Sequence, residues 1–219
     1  MNRTRGFTLI ELMTVIAVLG VALAIGVPSF SGLLQDNRLV SHLNSLSSTL
    51  SLARSEAIKQ NARAVVCGST NGTTCNAVGA WEQGWIAFID RSIPPNLVPD
   101  FGATPTTGCA SGATSDCLLA TEAAIPGATN VGGATGQLMT IKGAPGIGNL
   151  IAYNGSGTAR CDANRDGRLE ACVDAATYFV ICDRRGNTHA RGVSISQTGR
   201  VGVIAASRFN GAALDCTAP

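Results

Sequence analysis

The sequence predicts an α+β protein: a long N-terminal α-helix packed on an antiparallel β-sheet whose loops are tied by disulfides. Three observations carry this reading. An apolar run near the N-terminus continues into a helical stripe, the chain beyond position 63 breaks into short β-type runs, and eight cysteines lie in that second part.

The helix comes first. Between Phe7 and Gln35 the only ionisable side chain is Glu11, so the stretch exceeds the roughly 20 apolar residues a bilayer-spanning helix needs. Beyond it, Leu39, Leu43, Leu46, Leu50, Ala53 and Ala57 recur in alternating steps of four and three, which is one face of a helix. Arg54, Lys59 and Arg63 gather where a helix C-terminus favours cations. The spacing predicts one helix over 7–63, bent at Pro28, because proline removes a backbone donor and clashes with the preceding turn. Residues 7–34 form its transmembrane half and 35–63 its amphipathic half. His42, in the second half, reads as solvated or packed and not as a ligand.

The rest, 64–219, reads as a β-rich globular domain. Candidate strands are Ala64–Cys67, Trp85–Asp90, Gln137–Lys142, Leu150–Tyr153 and Thr177–Cys182. A final pair, Gly192–Ser196 and Arg200–Ala205, flanks Gln197-Thr198-Gly199 and reads as a hairpin. Residues 92–136, rich in Gly, Ala, Thr, Ser and Pro, read as an irregular insertion.

Cys67, Cys75, Cys109, Cys117, Cys161, Cys172, Cys182 and Cys216 form no CxxC pair, and only two histidines are present. Zinc ribbons and thiol redox motifs are therefore unsupported, and disulfides in an oxidising compartment fit the even count. Sequence does not settle their connectivity. The short spacings favour 67–75, 109–117 and 161–172, with Cys182–Cys216 tying down the C-terminus.

Composition narrows the function. Apolar residues make up 45% and charged residues 14%, which excludes an intrinsically disordered chain. Arg3 and Arg5 precede the apolar run, so the positive-inside rule places the N-terminus in the cytoplasm and the globular domain outside. A carboxylate five residues into such a span is costly and marks a functional site.

Gly6-Phe7-Thr8-Leu9-Ile10-Glu11-Leu12 resembles the class III signal of type IV pilins and type II secretion pseudopilins. The resemblance implies that 1–6 is a leader, that a prepilin peptidase cuts between Gly6 and Phe7, and that the new amine is methylated. Glu11 would then be the assembly carboxylate. It neutralises a neighbour's N-terminus in the filament core, where an unpaired charge is expensive. Pro28 falls where many pilins carry a kinking proline. Losing the leader takes two of the 16 basic side chains and leaves 14 against 14 acidic, so the mature chain is neutral. Trp81-Glu82-Gln83-Gly84-Trp85-Ile86-Ala87-Phe88-Ile89-Asp90 resembles the WxxGWxxFxD strand of GspH/FimT-type minor pilins and pseudopilins. Both tryptophans also read simply as core aromatics.

The resemblance implies a pilin-like fold and a minor subunit that helps initiate or cap a type IV pilus. The alternatives are an H-type pseudopilin of type II secretion and a DNA-binding minor pilin for transformation. Expected partners are other pilin or pseudopilin subunits, the prepilin peptidase and the inner membrane. DNA is weighed but not favoured.

No Ser/His/Asp spacing, Walker-type loop or HExxH points to catalysis, so no enzyme and no cofactor are expected, calcium excepted. Asp162, Asn164, Asp166 and Glu170 occupy positions 1, 3, 5 and 9 of a calcium-loop pattern with Gly167 at position 6. Position 12 is Val173, however, and an Asx-rich turn inside a Cys161–Cys172 loop explains the same residues. Arg184, Arg185, Arg191, Arg200 and Arg208 lie in a stretch without acids, as phosphate contacts require. The GRxR motif of some FimT-type pilins is here Gly199-Arg200-Val201-Gly202, without its second arginine. Arginines that solubilise a filament surface are the favoured reading.

Overall fold

The computed structural model describes residues 6–76, 80–92, 97–101, 109, 114–125, 139–144, 146–162, 168–172, 177–204, 208–209 and 211–216. The side chains of 27–29 and 212 are excepted. The chain divides into two units, residues 1–38 and 39–219.

Helix α1 runs over Leu9–Gln60. In the first unit its described side chains are almost all exposed, Leu9 at 76% and Val18 at 69% among them. In the second unit Leu39, Leu43, Leu46, Leu50, Ala53 and Ala57 are all buried, so the expected stripe is the packed face. The helix stops three residues before the expected 63. Asn61 takes a left-handed conformation (φ 47°). The amides of Asn61 and Ala62 turn back to the carbonyls of Ile58 and Ala57, which is a Schellman cap with asparagine at the left-handed position.

Two antiparallel sheets follow. The first contains β1 (Arg63–Gly68), β2 (Gly84–Asp90), β3 (Cys117–Ala123), β5 (Leu150–Tyr153), β6 (Ala159–Cys161) and β7 (Glu170–Ala171), in the order β3-β2-β1-β5-β6-β7. The second contains β4 (Met139–Gly143), β8 (Tyr178–Asp183), β9 (Arg191–Ile195) and β10 (Val201–Ile204), in the order β10-β9-β8-β4. A small ribbon pairs β11 (Arg208–Phe209) with β12 (Ala212–Ala213).

The seven expected strands form, with their described ends within two residues of those expected; Gln137, Leu138 and Ala205 lie outside the described residues. The insertion needs correcting, because Cys117–Ala123 is not irregular: it is β3, paired antiparallel to β2. As an edge strand its outer half is only partly buried, with Glu122 still reaching solvent. An edge strand in a Gly/Ala/Thr-rich stretch carries little of the alternation that betrays strands in sequence. The 3-residue β6 and 2-residue β7 are too short to show any period.

The main core joins the helix stripe to Val66, Trp85, Ala87 and Ile89 of the first sheet and Phe179, Ile181, Val193 and Ile195 of the second. The other face of the first sheet is also covered. Val65, Ile86, Phe88, Leu118, Leu150 and Ala152 pack there with Leu97 and Phe101. Burial on both faces explains why β2 reads as a continuous apolar run.

The four disulfides close as the spacing favoured: Cys67–Cys75, Cys109–Cys117, Cys161–Cys172 and Cys182–Cys216. The last lies at the third cluster, where Leu214, Phe209 and Cys216 of the C-terminal segment pack with Val180, Ala190 and Ile204.

Candidate functional site

The processing segment opens α1. Gly6 and Phe7 precede the helix, and Phe7 is 80% exposed. Thr8 is the N-cap: its Oγ1 accepts from the amide of Glu11 at 3.3 Å, and its carbonyl accepts from Leu12 at 3.2 Å. Thr8-x-x-Glu11 is thus a capping-box sequence. Glu11 sits exposed in the first turn, where the helix dipole favours a negative charge. This local role accommodates a carboxylate in the helix but leaves its charge unneutralised by any ion pair among the described residues. α1 is long and apolar enough to cross a membrane. An apolar helix with 48–80% of each large side chain exposed from Phe7 to Ile25 needs lipid or other helices around it. Pro28 lies within α1, which continues on both sides of it.

The WxxGWxxFxD stretch has a structural explanation at every named position. Trp81 meets Phe179 edge-on at 4.7 Å, and Trp85 Nε1 donates to Thr49 Oγ1 on α1 at 3.2 Å. Gly84 has φ 107°, and a β-carbon there would collide with the Glu122 carbonyl oxygen. Phe88 packs edge-on to Phe101. Asp90, 4% exposed, accepts from the amides of Ser92 and Leu97 and faces Arg63 at 3.9 Å. It thereby pins the segment that covers the first sheet.

The five arginines do not form one patch. Arg184 and Arg185 follow β8, and Arg191 opens β9. Arg200 lies five strand positions further on, at the turn between β9 and β10. At ~3.3 Å per residue, Arg191 and Arg200 are separated by roughly 15 Å of strand, so Arg191 does not replace the missing second arginine. Arg185 is neutralised by Asp183, with Nη2 to Oδ2 at 2.6 Å. Arg208 is exposed on β11.

A different arginine reaches the turn that carries Arg200. Arg54 on α1 donates Nε to the Gly157 carbonyl at 3.0 Å and Nη2 to the Thr198 carbonyl at 2.9 Å. It fastens the Asn154–Thr158 turn and the β9–β10 turn to the helix. Gly199 and Gly157 both have φ 78°, and a β-carbon on Gly199 would strike the Gly157 carbonyl oxygen. The glycine of the abbreviated GRxR motif is therefore required by packing. In the sequence Arg54 reads as a helix-terminal charge, and no local signal ties it to residues 103 and 144 positions away.

Of the calcium-loop residues, Asp162 is buried at 3% and forms a parallel bridge with Gly148, while Glu170 lies on β7. Asn164 and Asp166 lie outside the described residues. Among the described residues no group of three or more His, Cys, Asp or Glu side chains is placed to hold a metal ion.

Capped apolar helix, buried amphipathic continuation and disulfide-tied antiparallel sheets together make a pilin-like fold. The profile of the prokaryotic N-terminal methylation motif matches residues 1–27, and that described as Type II transport protein GspH matches residues 42–199. The second match spans well over half of the chain, and the chain belongs to the GspH family. The pilin-like protein PilA1 of Thermus thermophilus is 35% identical over 104 residues, 46% of this chain and 58% of that relative's length. Two crystal structures of the type IV minor pilin FimU of Pseudomonas aeruginosa are similar to the chain. They align with TM-scores of 0.44 and 0.43 at 21% and 18% identity, covering 82% and 80% of this chain and 96% and 98% of theirs. The family consists of structural subunits that associate with other pilins. Its motif and helix fit an inner-membrane anchor that passes into a filament.

Proposed function

We propose that the chain is a minor pilin, cut by a prepilin peptidase between Gly6 and Phe7 and incorporated in few copies where a type IV pilus is initiated or capped. The observation that carries this is the junction in α1. One half presents exposed apolar side chains around a single carboxylate, Glu11, in the capped first turn, and the other half is the packed spine of the globular domain. Such a subunit is inserted by its first half and displayed by its second. Partner helices replace lipid, and Glu11 pairs with a neighbour's Phe7 amine in low dielectric. The mechanism contains no catalytic step.

The resemblance to a curated pilin-like protein supports the pilus, while the family's description supports type II secretion as the second reading. A deletion strain scored for surface pili and secreted enzymes separates them. Complementation with wild type and with Glu11→Ala completes the test. Lost piliation restored by wild type but not by Glu11→Ala is the expected result. Intact pili with lost secretion moves the subunit to the secretion machine.

DNA uptake is scored in the same strain. Arg200 and Arg54 supply the only arginines at the β9–β10 turn among the described residues, and loss of uptake alone would promote that turn to a binding site.

A further inference from the structure

We propose that the outer edge of β10 is a docking strand. It takes an extended, acidic segment of a partner protein, which joins the second sheet beside Val201–Ile204 as a further strand. The proposal holds whichever machine the subunit serves.

The hydrogen bonds of the last hairpin leave this edge bare. The Ser196 amide donates to the Arg200 carbonyl at 3.0 Å, whereas the neighbouring Ile195 amide turns the other way, to the Thr177 carbonyl before β8. Bonded and non-bonded pairs alternate along an antiparallel ladder. In the register Gly202↔Ser194 and Ile204↔Gly192, the amides and carbonyls of Gly202 and Ile204 thus face β9. Those of Val201 and Val203 face outward. Among the described residues β10 pairs with β9 alone, so two donors and two acceptors are open to an added strand.

A bare edge invites wrong pairing, and the other outer strands carry the usual protections. β3 bears Glu122, and its register with β2 shifts between Ala87 and Phe88. β4 bears Lys142, and the Trp81–Gln83 turn packs beside it. β7 has two residues, one of them Glu170. β10, Val-Gly-Val-Ile, has no charge, no proline and no register shift. Its Val203 lies opposite the core residue Val193 yet is 54% exposed. An apolar side chain across from it on an added strand would complete that face.

Charge selects the occupant. Arg200 leads into β10 and Arg208 follows Ile204 by four residues, and both are exposed. Phe209, next to Arg208, packs on the apolar cluster that contains Ile204. No Asp or Glu occurs from Arg184 to Leu214. A strand with carboxylates at both ends therefore meets an arginine beyond each end of β10. A nucleic acid fits less well, because phosphate oxygens only accept, and the Val201 and Val203 carbonyls need donors. A second copy of this edge would bring the same arginines and no acid.

The test uses the full chain in detergent micelles. The probe is a short fluorescein-labelled peptide of alternating valine and threonine with two glutamates at each end, read by fluorescence anisotropy. Saturable binding is expected, with amide exchange slowed at Val201 and Val203 and unchanged in β8. The same peptide with lysine ends should bind about tenfold more weakly. Val203→Pro removes an outward donor and no bond to β9, and should weaken binding about tenfold. Should that variant fail to fold, Val203→Glu sets a charge on the edge that repels the acidic probe and should weaken binding alike. The proposal is overturned if no saturable binding appears at millimolar peptide, or if folded Val203→Pro binds as wild type does. A DNA duplex bound in place of the peptide, and held equally by Val203→Pro, would overturn it in favour of a phosphate site. Self-association lost with Val203→Pro would overturn it in favour of a second copy.

Discussion

The two halves of α1 are built from the same kind of residue and meet opposite fates. Leu9, Ile10, Ile16 and Val18 stand in the open, while Leu39, Leu43, Leu46 and Leu50 are sealed against two sheets. Hydrophobicity does not distinguish them, but spacing does. In the first half apolar side chains point all round the helix, so no single packed face can satisfy them. In the second half serines, Asn44 and charged residues interrupt the run and leave one stripe to bury. The first half is held by its surroundings and the second by its own chain.

The sharpest way to break this comparison is one truncation in each half. Trp85→Ala removes the ring that packs under α1 and leaves Thr49 without its indole donor. It should cost the full chain in detergent about 3–5 kcal/mol in denaturant unfolding. Ile16→Ala, at an exposed position, should shift the same transition by no more than about 0.5 kcal/mol. Equal losses would mean that the first half is not held by its surroundings alone.

Smaller effects sharpen the picture within the packed half. Gly84→Ala drives a β-carbon into the Glu122 carbonyl, strains φ 107° and should cost about 1–3 kcal/mol, measured by thermal or urea unfolding. Arg54→Lys keeps the charge but loses the fork that serves two carbonyls. An expected loss of about 1–2 kcal/mol should come with faster amide exchange confined to the Asn154–Thr158 and Gln197–Gly199 turns. Unchanged exchange there would show that the turns hold themselves.

The smallest effect is a pH dependence. Burial holds the His42 imidazole below its ordinary value of 6.5, and the nearby charge of Glu122 only partly offsets this. The folded state therefore favours neutral His42, whose contribution is fully present above 6.5 and is lost as pH falls below that value and through the lower folded one. His42→Gln should flatten the stability profile below 6.5 relative to wild type, as read from melting temperature at stepped pH.

Much of the candidate site was legible beforehand because it is local. Gly6 to Glu11 is a contiguous string, and the stripe from Leu39 to Ala57 obeys the helical period. The cysteine pairs are close in sequence, so spacing suggested what the structure forms. β3 was missed because its half-exposed edge shows no clean alternation. The end of α1 was overrun because Asn61 caps by a backbone conformation that asparagine permits without announcing.

By itself the sequence determined what depends on neighbours along the chain: the signal, the helix with its two characters, seven strands and the disulfide framework. Tertiary structure alone decided what depends on residues far apart. It separated Arg191 from Arg200 and brought Arg54 to the turn that carries Arg200. It also turned Asp90 from the end of a strand into the anchor of the segment covering it. The physical reason is range. Helical periods and short loops act within a few residues, whereas a charge or a carbonyl finds its partner only after the sheets have closed.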